Sequence, residues 1–408
     1  MDKLNICLIN DSFPPIIDGV ANAVKNYGTI LNRELGHATV VTPEAPGADD
    51  AAFPFPVVRY PSVSIPSLDG YRAGFPFDPP ILRRLEEGEY DLIHSHCPVT
   101  ATMMGLSLRR RIDVPLVLTY HTKFDIEIAK NISGKLLQES ATLALVKLIE
   151  SCDEVWTVSR GAGENLRMLG YEGEYRVMNN GVDLSRGRAS DEQIHEVTKD
   201  YDLPADVPML LYVGRMMWYK GARITLDALA ALKSVQLPFR MVFVGGGAER
   251  EEIMAYSSSL GLDDCVFFAP PEADRERLRA WYSRGDLFVF PSTFDTNGLV
   301  VSEAAACALP SVLVRGSCAA ENVTEGVNGY LIQENAASLA VVLQRLLMDP
   351  RQLKAVGEAA QRDLYLSWED AVRAAYERYH VVIDNYRSQS SEKKRKKFES
   401  LFNDEEWF

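Results

Sequence analysis

Residues 210–221, which read LLYVGRMMWYKG, decide the fold class of this chain. A short apolar segment ends at a glycine, and two cations, Arg215 and Lys220, follow before a longer amphipathic segment begins. A short strand that turns at a glycine and leads into a helix is typical of a βα unit in a parallel sheet. The same alternation occurs on both sides of this stretch, so we predict an α/β protein.

The alternation runs through the 408-residue chain with one polar, charged interruption at residues 186–202. Predicted strands lie at residues 4–9, 39–41, 92–94, 116–119, 154–158, 176–178, 210–213, 239–244, 265–268, 287–289, 311–314 and 329–332. We therefore predict two Rossmann-like domains, residues 1–185 and 205–366, that face each other across a cleft. A helix at residues 367–387 is expected to cross back to the first domain, ahead of a basic, aromatic tail at residues 388–408.

The overall charge restricts the partners of the chain. Lys and Arg number 43 and Asp and Glu 57, a formal net charge of −14, which disfavours a broad nucleic-acid-binding surface. The first residues lack the features of a signal peptide, and no apolar run reaches the about 18 residues of a membrane span. We expect a cytoplasmic protein whose segment from Lys393 to Phe408 is either a solvated tail or a contact with the inner face of an anionic membrane.

Arg215 and Lys220 are candidate phosphate-binding residues. Two cations just after a strand suit a diphosphate, because Arg offers a bidentate fork to phosphate oxygens and Lys a point charge. Both would neutralise the charge that develops on a departing nucleoside diphosphate. A pair of solvated surface cations is the alternative interpretation.

Residues 291–304, PSTFDTNGLVVSEA, place two carboxylates eight positions apart, Asp295 and Glu303, across a glycine turn that leads into an apolar helix. Carboxylates accept hydrogen bonds from vicinal hydroxyl groups, so Asp295 fits a sugar and Glu303 a ribose. The N–H groups near Gly298 and Leu299 begin the helix and fit phosphate oxygens. An N-cap role for Asp295 is the structural alternative.

The loop at residues 11–22, DSFPPIIDGVAN, follows the first predicted strand and leads into a helix. Ligands of open α/β sheets bind at this edge, beyond the carboxyl ends of the strands. Gly19 would let the backbone approach a phosphate at the helix N-terminus, and a tight turn explains the same glycine equally well.

The acidic pattern at residues 291–304 resembles the E-x7-E motif of the retaining glycosyltransferases of family 4, which have the GT-B fold. Further segments match that family in the expected order, so the resemblance covers nearly the whole chain. They are Asp18-Gly19-Val20, Gly36-His37, Thr119-Tyr120-His121-Thr122, Asn180-Gly181-Val182-Asp183, Gly214-Arg215, Lys220-Gly221, Gly245-Gly246-Gly247 and Glu249-Arg250. The resemblance implies an enzyme that transfers a hexose from a nucleotide sugar.

The resemblance also implies roles for individual residues. Arg215 and Lys220 would bind the donor diphosphate, while Asp295 and Glu303 would hold the sugar and the ribose. His121 matches a family histidine near the sugar at the reacting centre, with a buried structural histidine as the alternative. The rest of the implied donor site is Gly19, Gly214, Gly298, Leu299 and Val300. Two departures concern the donor: Asp295 stands where the family usually has Glu, and Asn297 where an aromatic residue is common.

No metal and no cofactor are expected, since the nucleotide sugar is a substrate and the resemblance implies no metal. His94 and His96 share a face of one predicted strand, but the sequence shows no third ligand beside them. Because the resemblance assigns Asp295 to sugar hydroxyl groups, we expect front-face substitution without an enzyme nucleophile. The expected donor is UDP-glucose or a related UDP-sugar, and the expected product is α-linked.

The acceptor is expected at the first domain, where Lys123, Arg109 and Arg110 supply positive charge, unless these side chains belong to solvated faces. The combination of residues 18–21, residues 120–124 and the amphipathic helix after them is similar to bacterial diacylglycerol glucosyltransferases and related glycolipid synthases. That similarity implies a lipid or glycan acceptor and a peripheral position at an anionic membrane.

Other functions fit parts of the pattern. Another GT-B enzyme, such as a nucleotide-sugar epimerase or a glycogen-synthase-like polymerase, would differ in its products. A catalytically silent nucleotide-sugar-binding module is suggested by Asp295 and Asn297. A nicotinamide dehydrogenase is disfavoured, because neither half carries G-x-G-x-x-G after its first strand with an acid about 20 residues later.

Overall fold

The computed structural model describes residues 3–16, 18–64 and 72–389. The basic and aromatic segment from Lys393 to Phe408 lies outside the described residues. The chain divides into two compact units, one formed by residues 1–180 together with 368–408 and the other by residues 181–367.

The first unit is built on a parallel sheet of seven strands within the described residues. These strands are β1 (Asn5–Ile9), β2 (His37–Pro43), β3 (Val57–Tyr60), β6 (Leu92–Ser95), β7 (Leu116–Tyr120), β8 (Glu154–Thr157) and β9 (Tyr175–Val177), and a separate antiparallel pair is formed by β4 (Ser62–Ser64) and β5 (Arg72–Gly74). The strand order is β3-β2-β1-β6-β7-β8-β9, so the direction of winding reverses between β1 and β6. Such a reversal is the point at which open α/β sheets bind ligands.

Helices connect the strands of this sheet, and several begin at a side chain that caps their free N–H groups. The helices are α1 (Gly19–Ile30), α2 (Pro79–Glu86), α3 (Thr100–Ile112), α4 (Phe124–Asn131), α5 (Lys135–Glu150) and α6 (Arg160–Met168). Ser159, for example, accepts a hydrogen bond from the N–H of Ala162 at the start of α6. All five residues of β7 are buried, as expected for a parallel strand that is covered on both faces.

The second unit repeats this architecture with a six-stranded parallel sheet. Its strands are β10 (Met209–Val213), β11 (Arg240–Val244), β12 (Val266–Ala269), β13 (Leu287–Phe290), β14 (Ser311–Val314) and β15 (Tyr330–Ile332). Its helices are α7 (Asp191–Thr198), α8 (Ala222–Ser234), α9 (Arg250–Ser259), α10 (Arg275–Arg284), α11 (Leu299–Ala306), α12 (Ala336–Leu347) and α13 (Pro350–Asp363). The order β12-β11-β10-β13-β14-β15 places the reversal between β10 and β13.

The last described helix, α14 (Trp368–Ser388), belongs to the first unit. Its Tyr376 hydroxyl accepts a hydrogen bond from the N–H of Leu4 at 3.0 Å. The ring of Tyr379 stacks on Trp156 with centroids 5.4 Å apart. The prediction of a terminal helix that returns to the first domain is therefore confirmed.

Two Rossmann-like α/β units are present, as the alternation predicts, while the arrangement across a cleft stays a prediction. The second unit begins at Gly181, earlier than residue 205, because Ile194 and Val197 of α7 are buried in its core. Strand β3 was missed, since prolines at positions 56 and 61 border it; it lies at an edge of the sheet, where prolines are tolerated. No helix in the described part of the chain has both the length and the apolar character needed to cross a bilayer.

Candidate active site

The reversal point of the second sheet brings two distant parts of the chain together. Strands β10 and β13 are parallel neighbours, with Leu210 opposite Leu287. Gly214 and Arg215 follow the carboxyl end of β10, and the loop that carries Asp295 follows the carboxyl end of β13. The strand order therefore brings those predicted donor-binding residues that belong to the second unit to one edge of its sheet.

Lys220 and Asp295 form a direct ion pair at this edge. Nζ of Lys220 lies 2.7 Å from Oδ1 of Asp295, and the hydroxyl of Ser292 donates to Oδ2 at 2.6 Å. Lys220 is only 7% exposed, and its Nζ lies 5.6 Å from the ring centroid of Phe290. The two side chains, predicted to bind separate parts of a donor, therefore form a charge-neutral pair with each other in the ligand-free protein.

Gly221 makes this pairing possible. Its φ of +82° lies in the left-handed region, and a Cβ at this position would stand 2.2 Å from the carbonyl oxygen of Pro291. The loop after β10 and the loop after β13 therefore touch backbone to backbone, which only glycine allows here.

Arg215 is the exposed cation of the site. Its backbone oxygen accepts a hydrogen bond from the hydroxyl of Tyr212 at 3.3 Å. Its guanidinium group forms no ion pair with any residue that the structure describes. Unlike Lys220, Arg215 thus presents an uncompensated positive charge to an incoming anion.

Glu303 is buried on α11 and bound by two side chains of α10. Nη2 of Arg275 lies 2.5 Å from Oε1 of Glu303, and the hydroxyl of Tyr282 donates to Oε2 at 2.8 Å. Burial and the neighbouring carboxylate raise the pKa of Tyr282 well above its ordinary value, so the phenol stays protonated. Arg275 and Tyr282 were not predicted from the sequence. Nothing in the sequence of α10 marks them as partners of Glu303, which lies beyond β13 on α11.

The N-terminus of α11 also belongs to this edge. Gly298 precedes the helix with a φ of +60°, and a Cβ there would stand 2.7 Å from Cα of Ala319. Leu299 and Val300 are the first helical residues, and the N–H groups of a first turn have no acceptor within the helix. Because Gly298 occupies the cap position, the alternative of Asp295 as N-cap is wrong.

In the first unit, Gly19 begins α1 beside a carboxylate. Oδ1 of Asp18 accepts hydrogen bonds from the N–H groups of Val20 and Ala21, both at 2.7 Å. A Cβ on Gly19 would meet no atom of the described residues within 4 Å. Asp18 already satisfies this helix terminus, which weakens the case for a phosphate there; the donor role of Gly19 stays a prediction.

His121 directly follows β7 and is 7% exposed. Its Nε2 lies 3.0 Å from Nδ1 of His96. Burial lowers the pKa of His121 to about 4, although the charge of Asp18 acts in the opposite direction. The ring is therefore neutral at physiological pH, and it can offer a hydrogen bond to a substrate but not a positive charge.

Both ring nitrogens of His94 are hydrogen-bonded to side chains in the protein interior. Its two ring nitrogens lie 2.6 Å from the hydroxyl of Tyr379 and 2.7 Å from Oγ1 of Thr119. Over the residues that the structure describes, no group of three or more His, Cys, Asp or Glu side chains is arranged to hold a metal ion.

The predicted acceptor-side cations lie at opposite edges of the first sheet. Lys123 precedes α4, two residues after His121, at the carboxyl edge. Helix α3 runs back from β6 to β7, so Arg109 and Arg110 at its end lie at the amino edge. Arg109 and Arg110 therefore lie away from His121, and the prediction that they face the acceptor together with Lys123 is corrected.

Arg109 has a structural function instead. Its guanidinium group is buried and lies 3.0 Å from Oδ1 of Asp153, and it also donates to the carbonyl oxygen of Ser151 at 3.2 Å. The ring of Tyr386 on α14 lies 5.4 Å from the guanidinium carbon. This side chain links α3 to the segment between α5 and β8 and to α14, so it is not available to an acceptor.

Comparison with known proteins shows the family of the chain. Residues 17–186 match the family model described as Glycosyltransferase Family 4, and residues 193–363 match Glycosyl transferases group 1. D-inositol 3-phosphate glycosyltransferase 2 of Catenulispora acidiphila is 31% identical over 317 residues, which are 74% of this chain and 73% of that protein. The chain belongs to glycosyltransferase family 4. The prediction of a glycosyltransferase is thereby confirmed, and the dehydrogenase alternative falls away.

Further relatives of this family 4 glycosyltransferase differ in their named activities. The alpha-monoglucosyldiacylglycerol synthase of Streptococcus pneumoniae is 23% identical over 352 residues, 85% of this chain and 79% of that protein. The crystal structure of HepE from Anabaena in complex with UDP and glucose has a TM-score of 0.70 at 21% identity and covers 93% of this chain and 100% of its own. The structure of sucrose-phosphate synthase from Thermosynechococcus elongatus has a TM-score of 0.72 at 23% identity. The match covers 94% of this chain and 100% of the synthase chain. These likenesses confirm the GT-B fold.

Proposed function

We propose that this family 4 glycosyltransferase transfers a hexose from UDP-glucose or a related UDP-sugar to a lipid or glycan acceptor. The observation that carries the donor assignment is the cluster of Arg215, the Lys220–Asp295 pair and Glu303 beside the first turn of α11. Cations and helix N–H groups suit a diphosphate, and carboxylates suit the hydroxyl groups of a sugar and a ribose. A structure of the same fold described with UDP and glucose supports this choice of donor.

The proposed reaction retains the configuration at the anomeric carbon. The bond from that carbon to the phosphate oxygen breaks, the bond to the acceptor oxygen forms on the same face, and the acceptor proton passes to the departing phosphate oxygen. Arg215 and Lys220 stabilise the charge that develops on the diphosphate. Asp295 is held by Lys220 and Ser292, which supports a role in orienting the sugar and not as a nucleophile. An α-linked donor then gives an α-linked product.

We propose that transfer needs no metal ion, because the two cations and the helix N-terminus supply the positive charge that a diphosphate requires. Turnover should be unchanged after incubation with excess EDTA. Loss of turnover in EDTA that added Mg²⁺ or Mn²⁺ restores would contradict this.

The lipid acceptor is supported by the likeness to a monoglucosyldiacylglycerol synthase. Leu136, Leu137 and Leu143 of α5 are 76%, 62% and 63% exposed, which suits a peripheral position at the inner face of a membrane. The full chain should co-sediment with anionic vesicles, and the double change Leu136→Ser and Leu143→Ser should reduce that fraction. Equal sedimentation of the two proteins would remove α5 from the contact.

A phosphorylated polyol is the second candidate acceptor. Tyr120 of β7 pairs with Thr157 of β8, and a cation stands three residues after each of them, Lys123 and Arg160. Two cations beyond neighbouring strand ends suit a phosphate group. Relatives named D-inositol 3-phosphate glycosyltransferase favour the same chemistry.

Product analysis separates these acceptors and tests the function itself. The full chain is incubated with labelled UDP-, GDP- and ADP-sugars, with diacylglycerol in mixed micelles or with D-inositol 3-phosphate, and the glycosylated product is identified by mass spectrometry. Release of UDP that depends on one acceptor class supports the proposal. Binding of UDP-sugars without any transfer or hydrolysis would favour the silent binding module.

A further inference from the structure

Two buried histidines, His94 and His96, connect the terminal helix α14 to His121. Nδ1 of His94 lies 2.6 Å from the hydroxyl of Tyr379, and Nε2 of His94 lies 2.7 Å from Oγ1 of Thr119. The ring centroids of His94 and His96 are 4.0 Å apart. Nδ1 of His96 lies 3.0 Å from Nε2 of His121. The ring of His96 therefore packs against His94 in the interior of the first unit, and its Nδ1 contacts His121.

The contact between His96 and His121 has the geometry of one in-plane hydrogen bond. The ring centroids are 5.3 Å apart and the ring planes differ by 26°, while the two nearest nitrogens are 3.0 Å apart. The rings consequently meet edge to edge, and one proton lies between the two nitrogens. Tyr27 packs against His96 at a centroid distance of 5.2 Å and restricts rotation of its ring.

The other nitrogen of His96 indicates which ring supplies this proton. Nε2 of His96 is buried and has no hydrogen-bond partner among the described residues. Burial lowers the pKa of both His96 and His121, so each neutral ring carries one N–H and one bare nitrogen. A buried N–H without an acceptor is destabilising, and such groups are rarer than under-used acceptors. A bare Nε2 is therefore favoured, and it leaves the proton of His96 on Nδ1.

We propose that His96 is a positioning residue that donates its Nδ1–H to Nε2 of His121 and so holds His121 in the tautomer with its proton on Nδ1. Nδ1 of His121 forms no hydrogen bond with the residues that the structure describes. It therefore offers a donor, and not an acceptor, to an oxygen of the bound substrate. The catalytic consequence rests on the proposed function, whereas the tautomer itself does not.

The tautomer can be measured in the ligand-free protein. The full chain is labelled with ¹⁵N-histidine and its ring nitrogens are recorded in a long-range ¹H–¹⁵N correlation spectrum. The six histidines give separate patterns, and that of His121 is the one missing from His121→Asn. A protonated Nδ1 and a bare Nε2 of His121 are expected. A proton on Nε2 of His121 in the wild-type protein overturns the proposal.

Two nearly isosteric variants test the positioning role at pH 8. His96→Asn keeps an N–H near the position of Nδ1, whereas the carboxylate of His96→Asp can only accept a hydrogen bond. We expect His96→Asn to keep the proton on Nδ1 of His121, and His96→Asp to move it to Nε2. The kcat of His96→Asp should be about 10- to 100-fold below that of His96→Asn, with a smaller change in the donor KM.

Each result bears on a separate claim. Equal kcat values for the two variants despite a shifted tautomer would overturn the positioning role. If a variant fails to fold, the wild-type spectrum still decides the tautomer. If the tautomer is as expected and no nucleotide sugar is consumed with any acceptor, the proposed function fails and the tautomer assignment stands.

Discussion

Lys220 and Asp295 are 75 positions apart in the chain and 2.7 Å apart in space. The pair forms because β10 and β13 are parallel neighbours, so the loops that follow them share one edge of the second sheet. The positive charge of Lys220 is thus balanced by Asp295 in the ligand-free protein. Under the proposed function, an incoming diphosphate would compete with Asp295 for Lys220 and would release the carboxylate that we propose to bind the sugar.

Replacing Lys220 with Met should reduce both stability and turnover. The change leaves Asp295 without its cation and should lower the free energy of unfolding by about 1–3 kcal/mol. Each kcal/mol corresponds to roughly 2–4 °C in the melting temperature of the second unit. Turnover should fall by about 10²-fold or more, since a group that stabilises the leaving diphosphate is lost. Calorimetry and UDP release measure the two effects.

The double variant Lys220→Met with Asp295→Asn serves as the control for that prediction. It removes both charges and should recover part of the lost melting temperature, but no turnover. Full turnover in Lys220→Met would show that the lysine does not act on the donor.

Replacing Arg215 with Ala should affect the reaction alone. The side chain is exposed and forms no ion pair with described residues, so the melting temperature should change by less than the equivalent of about 0.5 kcal/mol. The kcat/KM for the donor should fall by about 10²- to 10³-fold. Arg351→Ala, at an exposed position of α13, is the matched control and should keep wild-type kinetics. Equal kinetics of the two variants would refute the role of Arg215.

Glu303→Gln and Tyr282→Phe should separate donor binding from stability. The amide keeps the size of Glu303 but loses the charge that pairs with Arg275 and that would hold the ribose. The donor KM should rise by about 10- to 100-fold, as expected when a hydrogen bond to a charged group is lost. Tyr282→Phe keeps that carboxylate, so it should lower the melting temperature with less than a threefold or so effect on KM. Titration calorimetry with UDP checks both, and an unchanged affinity in Glu303→Gln would contradict the ribose contact.

The first unit should lose stability on acidification between pH 6.5 and about 4. Burial lowers the pKa of His94, His96 and His121 from 6.5, with neighbouring histidines adding to the effect at His94 and His96. The unfolded chain therefore binds protons in this window that the folded unit does not, at up to about 1.4 kcal/mol per pH unit for each histidine. Burial raises the pKa of Asp11 to about 6, which opposes the trend below that pH.

Melting temperatures of the first unit at a series of pH values measure this dependence. His96→Asn removes one of the titrating groups and should flatten the curve between pH 6.5 and 4. The prediction requires that His96 takes up a proton in the unfolded chain but not in the folded unit. Identical curves for the variant and the wild type would contradict it.

The fold was largely predictable because its strands are short, apolar and bounded by turn residues. Strand β14 lies at the predicted residues 311–314, and β10 and β13 differ from prediction by one residue at one end. Strand β3 escaped detection because flanking prolines are typical of loops as well as of edge strands.

The candidate site was predictable one residue at a time and not as a set of contacts. Asp295 and Lys220 stood out through their local motifs, but their pairing depends on which strands are neighbours. The partners of Glu303, Arg275 and Tyr282, carry no local signal, since polar residues on a helix are usually solvated. Arg109 was misplaced for a related reason, because a cation in a sequence does not show at which edge of a sheet its helix ends.

The first unit is discontinuous in the chain, and this affects the order in which the protein folds during synthesis. Residues 181–367 form a contiguous unit that can complete its core as soon as they leave the ribosome. The first 180 residues emerge earlier but lack α14, so His94, Trp156 and the N–H of Leu4 have no Tyr379 or Tyr376 to contact. The surface of the nascent N-terminal segment that α14 later covers therefore stays exposed during translation. The histidines beside His121 reach their final arrangement only after the last helix has been translated.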